Sequence, residues 1–492
     1  SIPVVVTPLV PSTVLTIAGP ALGYRSAVQS LLLYTATATA LTYTGIFTTA
    51  VTGPPAIAAP VVTTLAGTIL TPGVDYSLTV TADPSGNAAL ATASITRVST
   101  STSVSDGQQV SITYNYADAT YYSPQVFYDQ QSVINAYGQP FLSKVPVTPN
   151  ASQVANPLSC AAQIAFSNGA TTLICIACNP ADGSVEQQLA AAYAKVATTP
   201  AATIVVPVFT DDLTPGSGTV AAEAESMAQS LSTAMTGAYN DGFPRIGFFG
   251  LPRNYSEGDI PVPTLAANIA SRRLVLAYPE ILYLYNTATS TTFQASGCYL
   301  AVALAAILSS LPVNTGITNQ IVRGTGGLPQ AEVTKMTKAF MNTIAASGVS
   351  VCSLNYNGAL ACRQGLTTDM SAINHQEISV VRQADSLFVA VSQGLMNAGL
   401  IGNPITANTV SAVQEAVLGI LESAVTQQVI IRYTNLTVVQ QTYPGGSPTI
   451  MNVTFQYLPA WPLNYITVQM SLDLSGGLVA VQSQQNASGT GA

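Results

Sequence analysis

The spacing of apolar and polar positions changes several times along the 492 residues. Residues 1–20 (SIPVVVTPLVPSTVLTIAGP) are apolar, with prolines at 3, 8, 11 and 20. Proline fixes φ and donates no hydrogen bond, so this stretch reads as an extended arm or edge strand, not a helix or central strand. Residues 21–120 are dense in Thr, Val, Ser, Gly and Pro. TPGVDYSLTV (71–80) and SDGQQVSITYNYAD (105–118) each read as a turn followed by alternation, with Val110, Ile112, Tyr114 and Tyr116 on one face. That predicts an all-β module, a small sandwich. Beyond it, apolar strand candidates at 172–177, 203–209, 245–250 and 273–278 alternate with helical patterns at 184–197, 218–238 and 263–271. In the second of these helices Met227, Leu231 and Met235 recur at four-residue spacing. Strands apolar throughout, separated by helices, predict a mainly parallel sheet covered on both faces.

From 321 the pattern becomes α+β. RGTGG (323–327) reads as a turn, followed by one helix with Val333, Met336, Phe340 and Ile344 on one face. After a strand-rich lead-in, one helix carries Ala384, Leu387, Phe388, Val391 and Leu395. A second starts near Thr406 or Asn408, both good N-caps. It carries Val410, Val413, Val417, Leu421 and Val425 in a stripe, with Glu415 and Glu422 facing away. Strands follow at 428–439 and 451–458. In NYITVQMSLDL (464–474), Ile466, Val468, Met470, Leu472 and Leu474 alternate with polar residues, which predicts a half-buried strand. The expected fold class is therefore a multidomain mixture of α/β and α+β. Its parts are an extended arm (1–20), a β-rich module (21–120), an α/β middle domain with a mainly parallel sheet (121–320), an α+β C-terminal domain (321–474) and a C-terminal tail or arm (475–492).

Composition narrows the setting. Apolar residues make up 48% of the chain, enough for several cores, but Asp, Glu, Lys and Arg together only 7%, against about 25% in typical globular proteins. A free monomer keeps a mixed-charge surface for solubility. A large chain without one fits either an assembly whose neighbours cover it or a secreted Ser/Thr-rich protein. Net charge is −8 with 14 basic residues thinly spread, so no basic patch points to nucleic acid. The first residues lack the positive n-region of a signal peptide. The longest apolar run, CYLAVALAAIL (298–308), falls short of the ~20 residues that span a bilayer and predicts a buried helix.

Candidate chemistry is sparse. Six cysteines in so long a chain make no disulfide framework. Cys175 and Cys178 form a CIAC inside an apolar strand, with no second CxxC or histidine pair, and read as buried thiols. Parallel sheets hold ligands at the C-terminal strand ends. There Asp211 and Asp212 are the best acidic pair, suited either to Mg²⁺ binding or acid–base work, or to a solvated loop or helix cap. The single histidine, His375, lies in a polar run before a predicted strand and reads as a loop residue. No GxSxG elbow, HExxH motif, Walker loop or dinucleotide fingerprint is present. No cofactor or metal is expected.

Several segments, in order and spacing over about 220 residues, carry a resemblance: ASRRLVLAYPE (270–280), LPVNTGITNQIVRG (311–324), SGVSV (347–351), ACRQGLTTD (361–369), EISVVRQAD (377–385), IGNPIT (401–406) with the long helix after it, and the closing strands ending NYITVQMSLDL. They resemble the contractile tail sheath proteins of bacteriophages. The VDY turn and GQQVSITYNY strand of 71–118 add a weaker likeness. The chain departs from that pattern in its low charge and in the cysteines around Arg363. The resemblance implies a structural subunit, not an enzyme. Such subunits form stacked rings in a helical homo-oligomer around a tail tube, with baseplate and tail terminator proteins as further partners. No nucleic-acid contact and no membrane insertion are implied. Such a sheath is part of the virion, assembled in the host cytoplasm, and contracts to drive the tube through the host envelope.

The resemblance also implies that terminal arms add strands to sheets in neighbouring subunits. Val4, Val5 and Val6 would belong to the donated N-terminal arm, and Ile466, Val468, Met470 and Leu472 to the C-terminal sheet that gives or receives strands. Glu415 and Glu422 would face the tube, and Gly19, Pro20, Gly476 and Gly477 would act as hinges. Alternatives are the sheath of a tailocin or related contractile injection system, an extracellular Ser/Thr-rich adhesin, and a hydrolase built on Asp211 and Asp212.

Overall fold

The computed structural model describes residues 13–464 apart from 22–24, 43–59, 82–91, 117–119, 143–153, 211, 216–217, 287–289, 401 and 443–445. It is a mixed α/β fold of several sheets and 11 α-helices among the described residues. The largest sheet has eight strands in the order Leu360–Cys362, Val349–Leu354, Leu274–Tyr278, Ile246–Gly250, Ala202–Pro207, Val14–Gly19, Leu173–Ala177, Gln125–Phe127. The six inner strands run parallel, and the two outer ones are antiparallel to their neighbours. Each of the four strands expected in the α/β domain is present: Leu173–Ala177, Ala202–Pro207, Ile246–Gly250 and Leu274–Tyr278. Helices cover both faces. Cys298–Ser310 is buried from Cys298 to Leu308, as its unbroken apolar run predicts.

The sequence reading of residues 1–20 as an arm or edge strand is corrected here for 14–19, while residues 1–12 lie outside the described residues. Val14–Gly19 is a central strand, paired with Leu173–Ala177 on one side and Ala202–Pro207 on the other, and all six residues are buried. The prolines at 11 and 20 flank VLTIAG without interrupting it, so each of its residues keeps the N–H that a central strand needs. Gly19 is therefore packed within the sheet, not a hinge. A Cβ there would lie 2.5 Å from the Val208 carbonyl oxygen. The Pro20 carbonyl accepts from the Leu158 amide at 3.2 Å.

After this strand the chain makes the β module. Arg25–Leu33, Gln108–Tyr116 and Val61–Thr64 form one three-stranded sheet; Thr39–Ala40, Thr92–Arg97 and Tyr76–Thr81 form another. Leu31, Val62, Val110 and Ile112 of the first meet Tyr76 and Ile95 of the second in a separate core. The VDY turn is held by Asp75, 3% exposed, whose Oδ1 accepts from Ser101 Oγ at 2.6 Å and whose Oδ2 accepts from the Thr71 amide at 2.8 Å. The module interrupts the large sheet's sequence between its first strand and the rest.

Three further readings change. Val349–Leu354 joins the large sheet beside Leu274–Tyr278, so no sheet boundary falls near 320. RGTGG is no free turn: Thr325–Gly327 pairs with Ile281–Asn286, itself paired with Thr291–Ser296. The single helix expected after it is two, Gln330–Lys335 and Lys338–Ala346, because Thr337 caps the second, accepting from the Phe340 amide at 3.3 Å.

The C-terminal elements are the helices Ile378–Asn397 and Ala407–Thr426 and the hairpin Ile430–Gln440 with Met451–Pro459. Thr406 starts the second helix with a reciprocal cap to Thr409. Val413, Val417 and Leu421 pack with Leu387, Val313 and Ile430 in a third core.

Two glycine substitutions test these packing arguments. A Cβ on Gly250 would lie 2.0 Å from the Gly297 carbonyl oxygen and 2.6 Å from the Cys298 amide nitrogen. Both are backbone atoms at the start of the buried helix, which has no room to shift. Gly250→Ala is expected to cost at least about 3 kcal/mol. Gly237, inside Val220–Asn240, has open space around it, and Gly237→Ala is expected to add about 0.5–1 kcal/mol. Urea unfolding of both variants checks the contrast.

Candidate assembly surfaces and the knot beneath them

In parallel α/β sheets the C-terminal strand ends are where ligands bind. Here they are tied shut. Asp211 lies outside the described residues. Asp212 pairs with Arg253, whose Nε donates to Oδ1 at 2.9 Å and whose Nη2 donates to Oδ2. Arg253 Nη1 also donates to the Gln294 carbonyl at 3.0 Å. Asn254 exchanges two hydrogen bonds with the Leu213 backbone, at 3.0 and 2.8 Å. The acidic pair of the sequence is thus, at Asp212, one half of a loop-to-loop clasp.

The opposite, N-terminal ends of the strands carry the chemistry that the sequence reading missed. Arg273, 3% exposed, donates from Nη1 to Asp385 Oδ2 and stacks on the Tyr239 ring, its guanidinium carbon 4.0 Å from the centroid. Arg382, one turn before Asp385, donates to the Leu311 carbonyl at 3.3 Å and to Thr13 Oγ1 at 3.4 Å. A cavity of about 70 Å³ lies between the helix Ile378–Asn397 and the strand starts, lined by Thr13, Thr203, Ile246, Arg382 and Asp385 among others. Arg382 Nη1 and Asp385 Oδ1 are without hydrogen-bond partners among the described residues. Burial raises the Asp385 pKa while Arg273 pulls it back. Burial lowers the Arg382 pKa to about 10, against the pull of Asp385.

Four of the segments that carried the family resemblance meet at this knot. ASRRLVLAYPE supplies Arg273, EISVVRQAD supplies Arg382 and Asp385, and LPVNTGITNQIVRG supplies the Leu311 carbonyl. ACRQGLTTD joins through Thr368, which donates to the Ser271 carbonyl at 3.1 Å and accepts from its amide at 3.0 Å. The usable signal was Arg382 and Asp385 lying three apart on a helix in so weakly charged a chain. Gln383 ties the same helix to the end of the hairpin, exchanging two 2.8 Å hydrogen bonds with the Ala460 backbone.

A second charged cluster lies beside the buried helix. Lys335 Nζ contacts Glu280 at 2.6 Å, Glu332 at 3.3 Å and Glu257 at 3.6 Å. Glu280 and Glu332 are each 4% exposed. Burial first, and the Glu280 carboxylate second, raise the Glu332 pKa above its usual value.

The remaining sequence-derived positions are placed as follows. Glu415 and Glu422 are exposed on the helix Ala407–Thr426, opposite its buried stripe. Val4, Val5 and Val6, the strand residues Ile466, Val468, Met470 and Leu472, and Gly476 and Gly477 lie outside the described residues. His375 precedes a helix and not a strand: it sits in the short helix Ile373–Gln376, its Nδ1 2.8 Å from Asp369 Oδ2. Cys175 and Cys178 are buried, and burial pushes the Cys178 thiol up to about 12. The surface suited to partners is the hairpin Ile430–Gln440/Met451–Pro459. It has only two strands, so among the described residues each presents an unpaired edge. Met451, Val453, Phe455 and Tyr457 are only half-buried against the helix below, and Asn452, Thr454, Gln456 and Leu458 face outward.

Two measurements test the clusters. Asp385→Asn removes the charge that Arg273 and Arg382 face and is expected to cost about 3–5 kcal/mol of unfolding free energy, read by urea titration. Glu332 has a folded pKa above its unfolded value of 4.5. As pH rises through 4.5 the unfolded chain ionises first, so wild type loses stability until the folded pKa is passed. Glu332→Gln is expected to melt like wild type below pH 4.5 and at a higher temperature above that window.

No protein-family model matches the chain. Its sequence is 26% identical over 373 residues to the tail sheath protein of Mycobacterium phage Bxz1, covering 75% of this chain and 59% of that protein's length. In fold it is similar to a chain of the anti-feeding prophage baseplate (TM-score 0.53, 14% identity, 72% of this chain and 89% of that one). It is also similar to a chain of the PVC sheath complex of an extracellular contractile injection system in its contracted state (TM-score 0.50, 13% identity, 73% and 89%). The chain resembles contractile tail sheath proteins in sequence and contractile-injection-system proteins in fold.

Proposed function

We propose that this chain is a subunit of a phage contractile tail sheath, which polymerises helically around a tail tube and contracts to drive it through the host envelope. The observation that carries the reading is the 373-residue similarity to a phage tail sheath protein. The open-edged hairpin supports it. A two-stranded ribbon is marginal alone and is completed by a third strand from another chain. Donor segments are residues 1–12, carrying Val4, Val5 and Val6, and the stretch with Ile466, Val468, Met470 and Leu472. Each subunit donating to the next makes a head-to-tail contact that does not close on itself, and hence a helical polymer. Glu415 and Glu422 are the proposed tube-facing positions, and the rings end at baseplate and terminator proteins. Gly476 and Gly477 are the proposed C-terminal hinge. Its N-terminal counterpart lies before Thr13, since Gly19 is locked in the sheet.

The subunit acts as a structural element of the virion, not as an enzyme. The tying of Asp212 to Arg253 across the usual ligand end supports that part of the reading. Energy for contraction then comes from repacking between subunits, with no nucleotide consumed. The fold similarity to injection-system chains favours one second reading, the sheath of a tailocin-like particle.

Negative-stain electron microscopy of the full chain and of a variant lacking residues 1–11 tests the proposal. The intact chain is expected to form hollow tubes. The truncated chain should melt at the same temperature but remain as monomers or single rings, because the cut leaves Val14–Gly19 whole. Monodisperse monomer from both chains, at concentrations where sheaths assemble, would count against the sheath reading.

A further inference from the structure

The cysteines nearest in sequence are not the ones that face each other in the fold. Cys175 and Cys178 are three residues apart in extended chain, which sets them ~10 Å apart on opposite faces of the sheet, beyond the ~7 Å Cα limit for a disulfide. The two cysteines that face each other are Cys352 and Cys362, ten residues apart in sequence. They are direct partners across the antiparallel strands Val349–Leu354 and Leu360–Cys362. The hydrogen bonding fixes the type of pair. The Arg363 amide donates to the Val351 carbonyl at 2.8 Å, and the Cys362 amide donates outward to Gln320 at 3.2 Å. That makes Cys352–Cys362 a non-hydrogen-bonded pair, the type whose Cα atoms approach to ~4.5 Å, inside the span a disulfide bridges. The Cys362 thiol donates to the Gln364 carbonyl at 3.3 Å, and both cysteines are 0% exposed.

We infer that Cys352 and Cys362 are an oxidation site, joined by a small-molecule disulfide into one cross-strand disulfide that staples the edge hairpin of the large sheet. In the first step the thiolate of one cysteine attacks the external disulfide, forming a mixed disulfide and releasing one small thiol. In the second step the other cysteine's thiolate attacks the cysteine sulfur of that mixed disulfide and expels the second small thiol. The external disulfide gains the two electrons, and the two cysteine protons end on the released thiols. Access comes from local opening of the outermost strand, only three residues long, together with residues 319–322 that hydrogen-bond along it. The thiols therefore stay reduced on brief exposure and close on prolonged exposure to oxidising surroundings, the setting in which disulfides persist. The inference rests on strand geometry alone and stands or falls separately from the sheath reading.

The test incubates the folded full chain for hours with oxidised glutathione, with and without sub-denaturing urea. Samples are then acid-quenched, denatured and alkylated. Two of the six thiols should escape alkylation, non-reducing peptide mapping should join 352 to 362, and reductant should restore both. Cys352→Ser and Cys362→Ser, each checked for native circular dichroism, should each abolish the linkage. Six alkylated thiols even after prolonged oxidation in sub-denaturing urea, or a linkage between any other cysteines, would overturn the inference.

Discussion

Everything in the large sheet depends on one insertion: the strand Val14–Gly19 lies between two strands that follow it by more than 150 residues. Its carbonyls and amides are shared between Leu173–Ala177 and Ala202–Pro207. Leu15, Ile17 and Ala18 are fully buried. A strand in this place cannot be swapped out, since removing it exposes two ladders of unpaired backbone groups at the centre of the sheet. From this central strand the chain leaves to make the β module, then returns to build the sheet outward in both directions. Whatever residues 1–12 do, they do it from a fixed anchor at Thr13, which is tied to Arg382 and so to the C-terminal helices.

The ends of the sheet have exchanged their usual roles. At the C-terminal ends Asp212, Arg253 and Asn254 bind loop to loop. At the N-terminal ends Arg273, Arg382 and Asp385 bind the sheet to the helix that carries the hairpin. A buried ion pair adds little net stability over an apolar contact, but it is costly to break and is specific in geometry. That suits a joint that must keep one orientation between the sheet and the element presenting an open strand edge.

Elements set by local period were legible in the sequence: the four strands of the α/β region, the helices between them and the capped helix at Thr406. The strand Val14–Gly19 was not, because proline density nearby suggested an arm while the six residues that matter contain none. The joining of Val349–Leu354 to the same sheet was not legible either, since parallel partners far apart in sequence leave no local mark. The helix break at Thr337 is a capping choice inside an otherwise continuous apolar pattern. Of the candidate assembly residues, Glu415 and Glu422 were placed on their exposed face by period alone. The knot around Asp385 was carried in the quoted segments, but its charges bind through space, not through spacing.

The low charge takes on a sharper meaning once the charges are located. Of 14 basic and 22 acidic residues, Asp75, Glu223, Arg245, Arg273, Glu280, Glu332, Glu377 and Arg382 are buried. These eight act inside the body, and the remaining charges are few for a chain of 492 residues. Arg245 alone spends its guanidinium on the Ala197, Thr199 and Ala202 carbonyls. A surface of Ser, Thr, Asn and Gln is cheaper to dehydrate than one of ions, and neutral pairs are less tied to one register than salt bridges. For a subunit that exchanges one set of neighbours' contacts for another during contraction, as the sheath reading requires, charges kept inside hold the body rigid. An exterior thin in charge leaves the contacts between bodies free to re-form.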